Sequence, residues 1–275
     1  MNVLDTIIAK LDRANEHLKA FNSAVREFQE SRPYTFTNKF EPKGNGIYDW
    51  IFTIHVNREL PLSINAIFGD GIQNVRATLD YLAYQLAVTH VGVNGDLDGV
   101  EFPIFERQSS YMAVSKKGKP NKGSGLYKVR SIHPDAQAII ESLQPYHGGD
   151  AVMLWQIHQL SIIDKHRHFH IVSPPLGQWV AGIPLGDGLS PEPLRGLTII
   201  SGSLKHSFID GAEVARFEVS IAPNFNFKVR VKHTIPGDVI LDEIQFANSQ
   251  AGFILAGLIG YVRKKVISQL SPFLK

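Results

Sequence analysis

The chain has no cysteine in 275 residues. This absence excludes a disulfide scaffold, a thiolate zinc site, an iron–sulfur cluster and a thiol nucleophile, because each of them requires the sulfur atom. A bound metal ion could be held only by histidine, aspartate or glutamate, and we expect no cofactor. The 11 histidines become the main candidates for proton transfer, since imidazole titrates near neutral pH.

Long apolar runs are also missing. The longest, AGFILAGLIGYV at 251–262, is shorter than the roughly 20 residues of a membrane span, so we expect a buried helix and no membrane partner. The start of the chain, MNVLDTIIAKLDRANEHLK, mixes charged residues with apolar ones and lacks the apolar region of a secretory signal. We therefore expect a cytoplasmic protein. The short signatures of the common hydrolases, zinc proteases and dinucleotide-binding enzymes are absent too.

Acidic residues are absent from 107–134, although the whole chain has a formal net charge of only +2. Seven positive residues lie in this segment, and such a local excess suits a loop that meets phosphate of a nucleotide or a nucleic acid. The segment GKPNKGSG lacks the Gly-Lys-Ser/Thr ending of a phosphate-binding loop, so a solvated loop is the alternative. The candidate phosphate-binding residues are Lys116, Lys117, Lys119 and Lys122.

The periodicity of apolar residues predicts an α+β protein that forms a single domain over 1–275. Spacings of three and four predict long N-terminal, central and C-terminal helices, and runs of β-branched and aromatic residues predict an antiparallel sheet packed with them. The turn Gly44-Asn45-Gly46 predicts a β-hairpin. The expected helices span about 1–30, 64–90, 134–166 and 247–272, and the expected strands span about 33–57 and 168–241. The alternative for the second helix is a start only after Gly69-Asp70-Gly71.

The N-terminal helix has one regular apolar seam. Its residues follow alternating spacings of three and four over four heptads, as in a coiled coil. A homodimer through this helix and packing on the protein's own helices are both compatible with the seam, because the flanking positions lack the complementary charges that specify a zipper. The seam consists of Leu4, Ile7, Leu11, Ala14, Leu18, Phe21, Val25 and Phe28.

The central helix has Arg76 and Asp80 on the flank of its apolar stripe. Their i, i+4 spacing suits a salt bridge. In a structural interpretation the pair ties the helix to a neighbour. In a functional one, Asp80 orients the planar guanidinium of Arg76 toward an anion.

The segment WQIHQLSIIDKHRHFHIV, at 155–172, concentrates ionisable residues where a helix ends. Such groups are costly to desolvate, so His158, Asp164, His166 and Arg167 are candidate site residues, with a solvated helix end as the alternative. If the chain is extended from 166 onward, three imidazoles share one face. A metal site of His166, His168 and His170 is therefore a further alternative, although we expect no metal.

Four ordered blocks, GDGIQNVRATLDYLAYQLA, EFPIF, LQPY and DKHR, resemble a widespread set of uncharacterised bacterial and phage proteins. Those proteins share a pattern close to G-D-x-I-x-N-x-R-x-x-L-D-H-L-A, F-P-I-F, L-Q-P-Y and D-K-H-R. The match covers about 69–167. It implies membership of that family and implies no activity.

An arginine followed by a histidine four to six residues later is similar to the signature of HEPN domains, helical modules that include RNA-cleaving toxins and defence proteins. Here Tyr81 stands where that histidine would follow Arg76. The resemblance implies a metal-independent ribonuclease or RNA-binding protein. We expect one polar site where the helix of 69–84 meets the junction at 164–167. There His166 would act as general acid/base, with His158 as the other histidine that could replace the missing one in space. Arg76 and Arg167 would stabilise the phosphorane charge, and Asp80 and Asp164 would orient them.

Two other functions stay open at this point. One is a non-catalytic interaction or small-ligand-binding protein, in which the same residues form a structural network of salt bridges. The other is a metallohydrolase that uses the three alternating histidines.

Overall fold

The computed structural model has an α+β fold, as predicted, and describes residues 2–166, 169, 171–172, 179–182, 184–185, 188–189, 197–204, 209–222, 230–233, 240–241 and 249–275. The helices are α1 Val3–Glu30, α2 Leu62–Val91, α3 Gln108–Tyr111, α4 Gly125–Val129, α5 Pro134–Ser142, α6 Val152–His166, α7 Ala251–Tyr261 and α8 Ser268–Leu270. A π-helical turn, Val262–Ile267, joins the last two, and 3-10 turns span Pro145–His147, Gly149–Ala151 and Ser271–Leu274.

The strands are β1 Tyr34–Gly44, β2 Ile47–Val56, β3 Ile171–Val172, β4 Trp179–Gly182, β5 Pro184–Leu185, β6 Gly188–Leu189, β7 Leu197–Leu204, β8 Glu213–Ile221, β9 Arg230–His233, β10 Ile240–Leu241 and β11 Ser249–Gln250.

We expected one domain, and the contacts divide the chain into two compact units. Unit 1 consists of residues 1–23, 62–170 and 241–275, and unit 2 consists of 24–61 and 171–240. The chain passes from one unit to the other four times, which is why no linker is visible in the sequence.

Unit 2 is built on an antiparallel sheet of four strands in the order β1-β2-β8-β7. The predicted hairpin is confirmed: β1 pairs with β2, and Gly44, Asn45 and Gly46 all adopt the positive φ angles that its tight turn requires. Aromatic rings cover one face of the sheet, where Trp50 stacks on Phe40 with 5.2 Å between ring centroids and also contacts Phe52.

Unit 1 is built around α2, a continuous helix whose predicted apolar stripe is buried. The sequence left open whether the helix begins after Gly69-Asp70-Gly71, and the structure shows that it runs through these glycines. Both allow close approach of other elements. A Cβ at Gly69 would overlap the carboxylate of Asp164 in α6, and one at Gly71 would lie 2.7 Å from Leu255 in α7.

The apolar seam of α1 is already buried within the chain. Phe21 packs against Phe68 of α2 with ring centroids 5.5 Å apart, and Phe28 packs edge-on against Tyr34. Since Ile7, Leu11 and other seam residues are at most 3% exposed, this stripe offers little surface for a homodimer. No helix among the described residues combines the length and apolarity of a membrane span.

Candidate functional site

Arg76 and Asp80 form the predicted salt bridge on α2. The guanidinium donates two hydrogen bonds to the carboxylate, from Nε at 3.1 Å and from Nη2 at 2.7 Å. Burial raises the pKa of Asp80, while the charge of Arg76 and the backbone N–H of Phe102 act in the opposite direction. The orienting role that the sequence suggested for Asp80 therefore has a geometric basis.

The same pair holds the backbone of the EFPIF segment. Arg76 Nη2 donates to the Phe102 carbonyl at 2.8 Å, and the Phe102 N–H donates to Asp80 at 3.1 Å. Both polar groups of one peptide residue are thus satisfied by two side chains of α2. This contact is structural, because an irregular segment packed on a helix must find partners for its buried N–H and C=O groups.

Gln144 binds two further backbone groups of this segment. Its amide nitrogen donates to the Pro103 carbonyl at 2.8 Å and to the Ile140 carbonyl at 3.0 Å, and its amide oxygen accepts from the Phe105 N–H at 3.0 Å. Gln144 is completely buried. The residues of three family-like blocks therefore meet here, and we call Arg76, Asp80 and Gln144 the backbone clamp.

His158 is a half-buried residue of α6. Burial lowers its pKa, the positive charges of Arg76 and Lys128 lower it further, and the carboxylates of Glu106 and Glu101 oppose them. A lowered pKa favours the neutral imidazole, the form that can accept a proton.

Glu106 forms a second polar contact with α6. Trp155 Nε1 and Gln159 Nε2 both donate to the same carboxylate oxygen, each at 2.8 Å. Lys128 pairs with Glu101 and lies over the Phe105 ring, 5.2 Å from its centroid. Charges of both signs therefore surround His158.

One nitrogen of Arg76 lacks a hydrogen bond. Nη1 is buried and has no partner among the described residues, whereas Nε and Nη2 make the three bonds given above. A buried donor without an acceptor is costly.

Asp164 lies in a different environment from Arg76. Gln73 Nε2 donates to it at 2.8 Å and also to the Ser161 carbonyl at 3.1 Å, while the carboxylate rests on Gly69. On α6, Asp164 is six residues beyond His158, about 9 Å along the helix axis. The hydrogen-bond partners of Asp164 therefore differ from those of Arg76, which are Asp80 and Phe102.

Asp164 and His166 line an open cleft of about 680 Å³. The beginning of α2 and the end of α6 contribute its walls. The lining residues are Leu62, Ser63, Asn65, Ala66, Asp70, Asp164, Lys165, His166 and Phe169. We call this concavity the α2–α6 cleft. Its size suits a small ligand.

The positive charge of the segment 107–134 is partly compensated, because acidic residues at 96–101 form ion pairs with it. Arg130 binds Asp96, Lys128 binds Glu101, and Lys122 lies 3.7 Å from Asp98. Of the four candidate phosphate-binding residues, Lys116, Lys117 and Lys119 are exposed and have no ion pair among the described residues.

Three residues of the predicted sites, Arg167, His168 and His170, lie outside the described residues. Within the described part of the chain, no three His, Asp or Glu side chains are grouped to hold a metal ion. Tyr81, at the position of the HEPN histidine, lies under Lys10 of α1, whose Nζ is 5.0 Å from the ring centroid. It is about 140° around α2 from Arg76, since each residue turns the helix by about 100°.

Sequence reasoning placed Gln73 on the polar side of the central helix but overlooked Gln144 and Glu106. Gln144 belongs to the LQPY block, so its presence in the family-like pattern was the available signal. No family model, curated protein or solved structure matches this chain.

Proposed function

We propose that this protein is a non-catalytic small-ligand-binding protein of the cytoplasm whose binding site is the α2–α6 cleft. The observation that carries the proposal is the cleft itself, which combines ionisable side chains with apolar walls. Ligand sites typically have mostly apolar walls and a small number of polar groups that fix the orientation of the ligand.

The role of the backbone clamp supports binding over catalysis. Arg76 uses two of its three nitrogens for Asp80 and for the Phe102 carbonyl, so its guanidinium is occupied by structural contacts. In the cleft, by contrast, Asp70, Lys165 and His166 are exposed and form no ion pair among the described residues. These three side chains are therefore available to contact a ligand.

A fragment-binding experiment tests the proposal. Small soluble fragments of four charge classes (neutral, anionic, cationic and zwitterionic) are titrated into the isotope-labelled protein, and backbone amide shifts are followed by NMR. We expect saturable shifts at 62–70 and 164–166 from at least one class. If no class shifts these amides saturably, the proposal is wrong.

Two matched variants make the test specific. Ala66 and Ala77 are both exposed alanines of α2, but only Ala66 lines the cleft. Ala66→Phe should abolish fragment binding by filling the cleft, and Ala77→Phe should leave it unchanged. Equal effects of the two substitutions would contradict binding in the cleft.

A HEPN-like, metal-independent ribonuclease or RNA-binding protein is the second candidate. The observation in its favour is the pKa of His158, which burial and the charge of Arg76 lower, together with Arg76 Nη1, which has no hydrogen-bond partner among the described residues. In that function His158 would act as the general base, and Arg76 would stabilise negative charge on a phosphate. Asp80 would hold the guanidinium in its orientation.

Incubation with total RNA in the presence of a chelator tests this candidate. The ribonuclease function predicts cleavage by the wild type that His158→Gln and Arg76→Gln abolish, while exposed His90→Gln, a matched control, retains it. An RNA-binding function predicts salt-dependent retention of RNA that Arg76→Gln weakens. Absence of both cleavage and salt-dependent binding would exclude this candidate.

A further inference from the structure

Asparagine is followed directly by glycine at two places in the chain, Asn45-Gly46 and Asn94-Gly95. In such a pair the backbone nitrogen of the glycine can attack the side-chain amide of the asparagine, because glycine carries no side chain that hinders the approach. The first pair forms the turn between β1 and β2, and the second lies in the loop after α2. Both asparagines are exposed, so exposure does not distinguish them.

The reacting groups of the first pair make no hydrogen bonds. The Gly46 N–H has no acceptor within the described part of the chain, although the Gly46 carbonyl accepts a hydrogen bond from the Ile221 N–H at 2.8 Å. The side-chain amide of Asn45 also has no hydrogen-bond partner among the described residues. Attack of the Gly46 nitrogen on this amide therefore breaks no existing hydrogen bond.

The corresponding nitrogen of the second pair is occupied. The Gly95 N–H donates to the Gly92 carbonyl at 3.0 Å, which closes the turn at 92–95. This hydrogen bond must break before the nitrogen can lose its proton and turn toward Asn94. The same dipeptide therefore differs in reactivity between the two places.

We propose that Asn45 is a site of spontaneous deamidation in the folded protein and that the fold protects Asn94. The Gly46 nitrogen bonds to Cγ of Asn45, the bond from Cγ to the amide nitrogen breaks, and ammonia leaves with the proton of the Gly46 N–H. Water then hydrolyses the cyclic imide at either of its carbonyl groups. The products at position 45 are aspartate and isoaspartate. This site does not involve the α2–α6 cleft, so the inference is independent of the proposed function.

Isoaspartate changes the hairpin more than aspartate does. Only Asn45 and Gly46 lie between the paired residues Gly44 and Ile47, and their φ angles are +52° and +74°. The geometry of such a short turn fixes the register of the strands that it joins. Aspartate fits the same turn, whereas isoaspartate adds a carbon atom to the main chain. We therefore expect isoaspartate to separate the ends of β1 and β2 next to the turn.

Peptide mass spectrometry tests the proposal. The full-length protein is incubated at mildly alkaline pH and body temperature, and the peptides with Asn45 and Asn94 are followed for the mass gain of an amide that becomes an acid. We expect Asn45 to react about fivefold to tenfold faster than Asn94, because the hydrogen bond of Gly95 adds to the barrier at the second site. Labelling by an isoaspartyl methyltransferase should detect isoaspartate in the Asn45 peptide.

Incubation in urea is the control for the fold. Unfolding removes the hydrogen bond of Gly95 and leaves both dipeptides unchanged, so the two asparagines should then react at nearly equal rates. Asn45→Gly is the matched variant, because glycine accepts the positive φ angle of this position and has no amide to lose. After incubation of the folded proteins, hydrogen exchange of the β1 and β2 amides next to the turn should become faster in the wild type and stay unchanged in this variant.

The proposal is wrong if the folded protein shows no mass gain at Asn45, or if Asn45 and Asn94 react at equal rates. A rate difference that persists undiminished in urea would also overturn it, because the difference would then come from the neighbouring sequence and not from the hydrogen bond of Gly95.

Discussion

At the residue scale, Arg76 and Asp80 stabilise the fold in two ways. They bind each other, and both bind the backbone of Phe102. Arg76→Gln and Asp80→Asn should each lower the free energy of unfolding by about 1–3 kcal/mol, because each leaves charged or polar groups of the clamp without a partner. The double variant should lose clearly less than the sum of the two, since the contact is shared. Urea denaturation measures all three changes.

Additive losses would contradict this account of the clamp. The exposed pair Arg13 and Glu16, which also forms a salt bridge in a helix, provides the control. Its removal should cost well under 1 kcal/mol, because exposed ion pairs are screened by water.

His158 makes stability depend on pH. Its pKa is lowered in the folded protein, so the unfolded chain, in which the pKa is near the ordinary value of about 6.5, binds the proton more readily. The stability that neutral His158 provides is complete above about pH 6.5 and declines as the pH falls toward the lowered folded pKa.

His158→Gln should remove this component. Urea denaturation between about pH 5 and 7.5 should show that the stability of the wild type falls more steeply on acidification than that of the variant, a difference that the other histidines cannot cause because they are common to both. Parallel profiles would show that His158 does not titrate differently in the two states.

At the element scale, the backbone of the EFPIF segment is held by hydrogen bonds to side chains and not by the backbone hydrogen bonds of a neighbouring strand. Gln144→Leu keeps the shape of the buried side chain but removes its bonds to Pro103, Phe105 and Ile140. The loss should be about 2–4 kcal/mol, because buried backbone groups are left unsatisfied. Thermal or urea unfolding measures it.

Gln108 offers a control of the same residue type. It is exposed in α3, so Gln108→Leu should change stability by less than about 0.5 kcal/mol. A similar small change for Gln144→Leu would mean that water replaces the lost bonds.

Helices and the hairpin were predictable from local patterns. The stripe of α2 and the Gly44-Asn45-Gly46 turn each follow from residues adjacent in sequence, and both are confirmed. The Arg76–Asp80 pair was predictable for the same reason, because i, i+4 spacing makes two side chains neighbours.

Contacts between distant residues were not predictable. Gln144 and Phe105 are 39 positions apart, and Gln73 and Asp164 are 91 positions apart. Which residues meet depends on how α2 and α6 pack, and the two glycines that allow this packing resembled a helix break when read locally.

At the scale of the whole molecule, the net charge is only +2, so substitution of a few exposed lysines is enough to reverse its sign. The triple substitution of Lys116, Lys117 and Lys119 to Glu reverses three charges, so the net charge changes by 6, from +2 to −4. Stability should change by less than about 1 kcal/mol, because these side chains have no ion pair among the described residues.

The same substitution tests the polyanion-binding role of this loop. If the loop meets phosphate, retention on immobilised RNA at low salt should fall in the triple variant, and the dependence of retention on salt should become less steep. Substitution of Lys19, Lys264 and Lys275 to Glu gives the same net charge and is the control, because these lysines are also exposed and have no ion pair among the described residues. Equal retention of the two triple variants would assign any binding to net charge alone.

The interleaved order of the two units has a consequence for synthesis. Unit 2 possesses all its residues once position 240 has left the ribosome, whereas unit 1 still lacks 241–275 at that moment. Gly71 of α2 then has no Leu255 to pack against. Until α7 emerges, apolar surface of α2 stays exposed, and a nascent chain in this state is a substrate for chaperones that bind such surfaces.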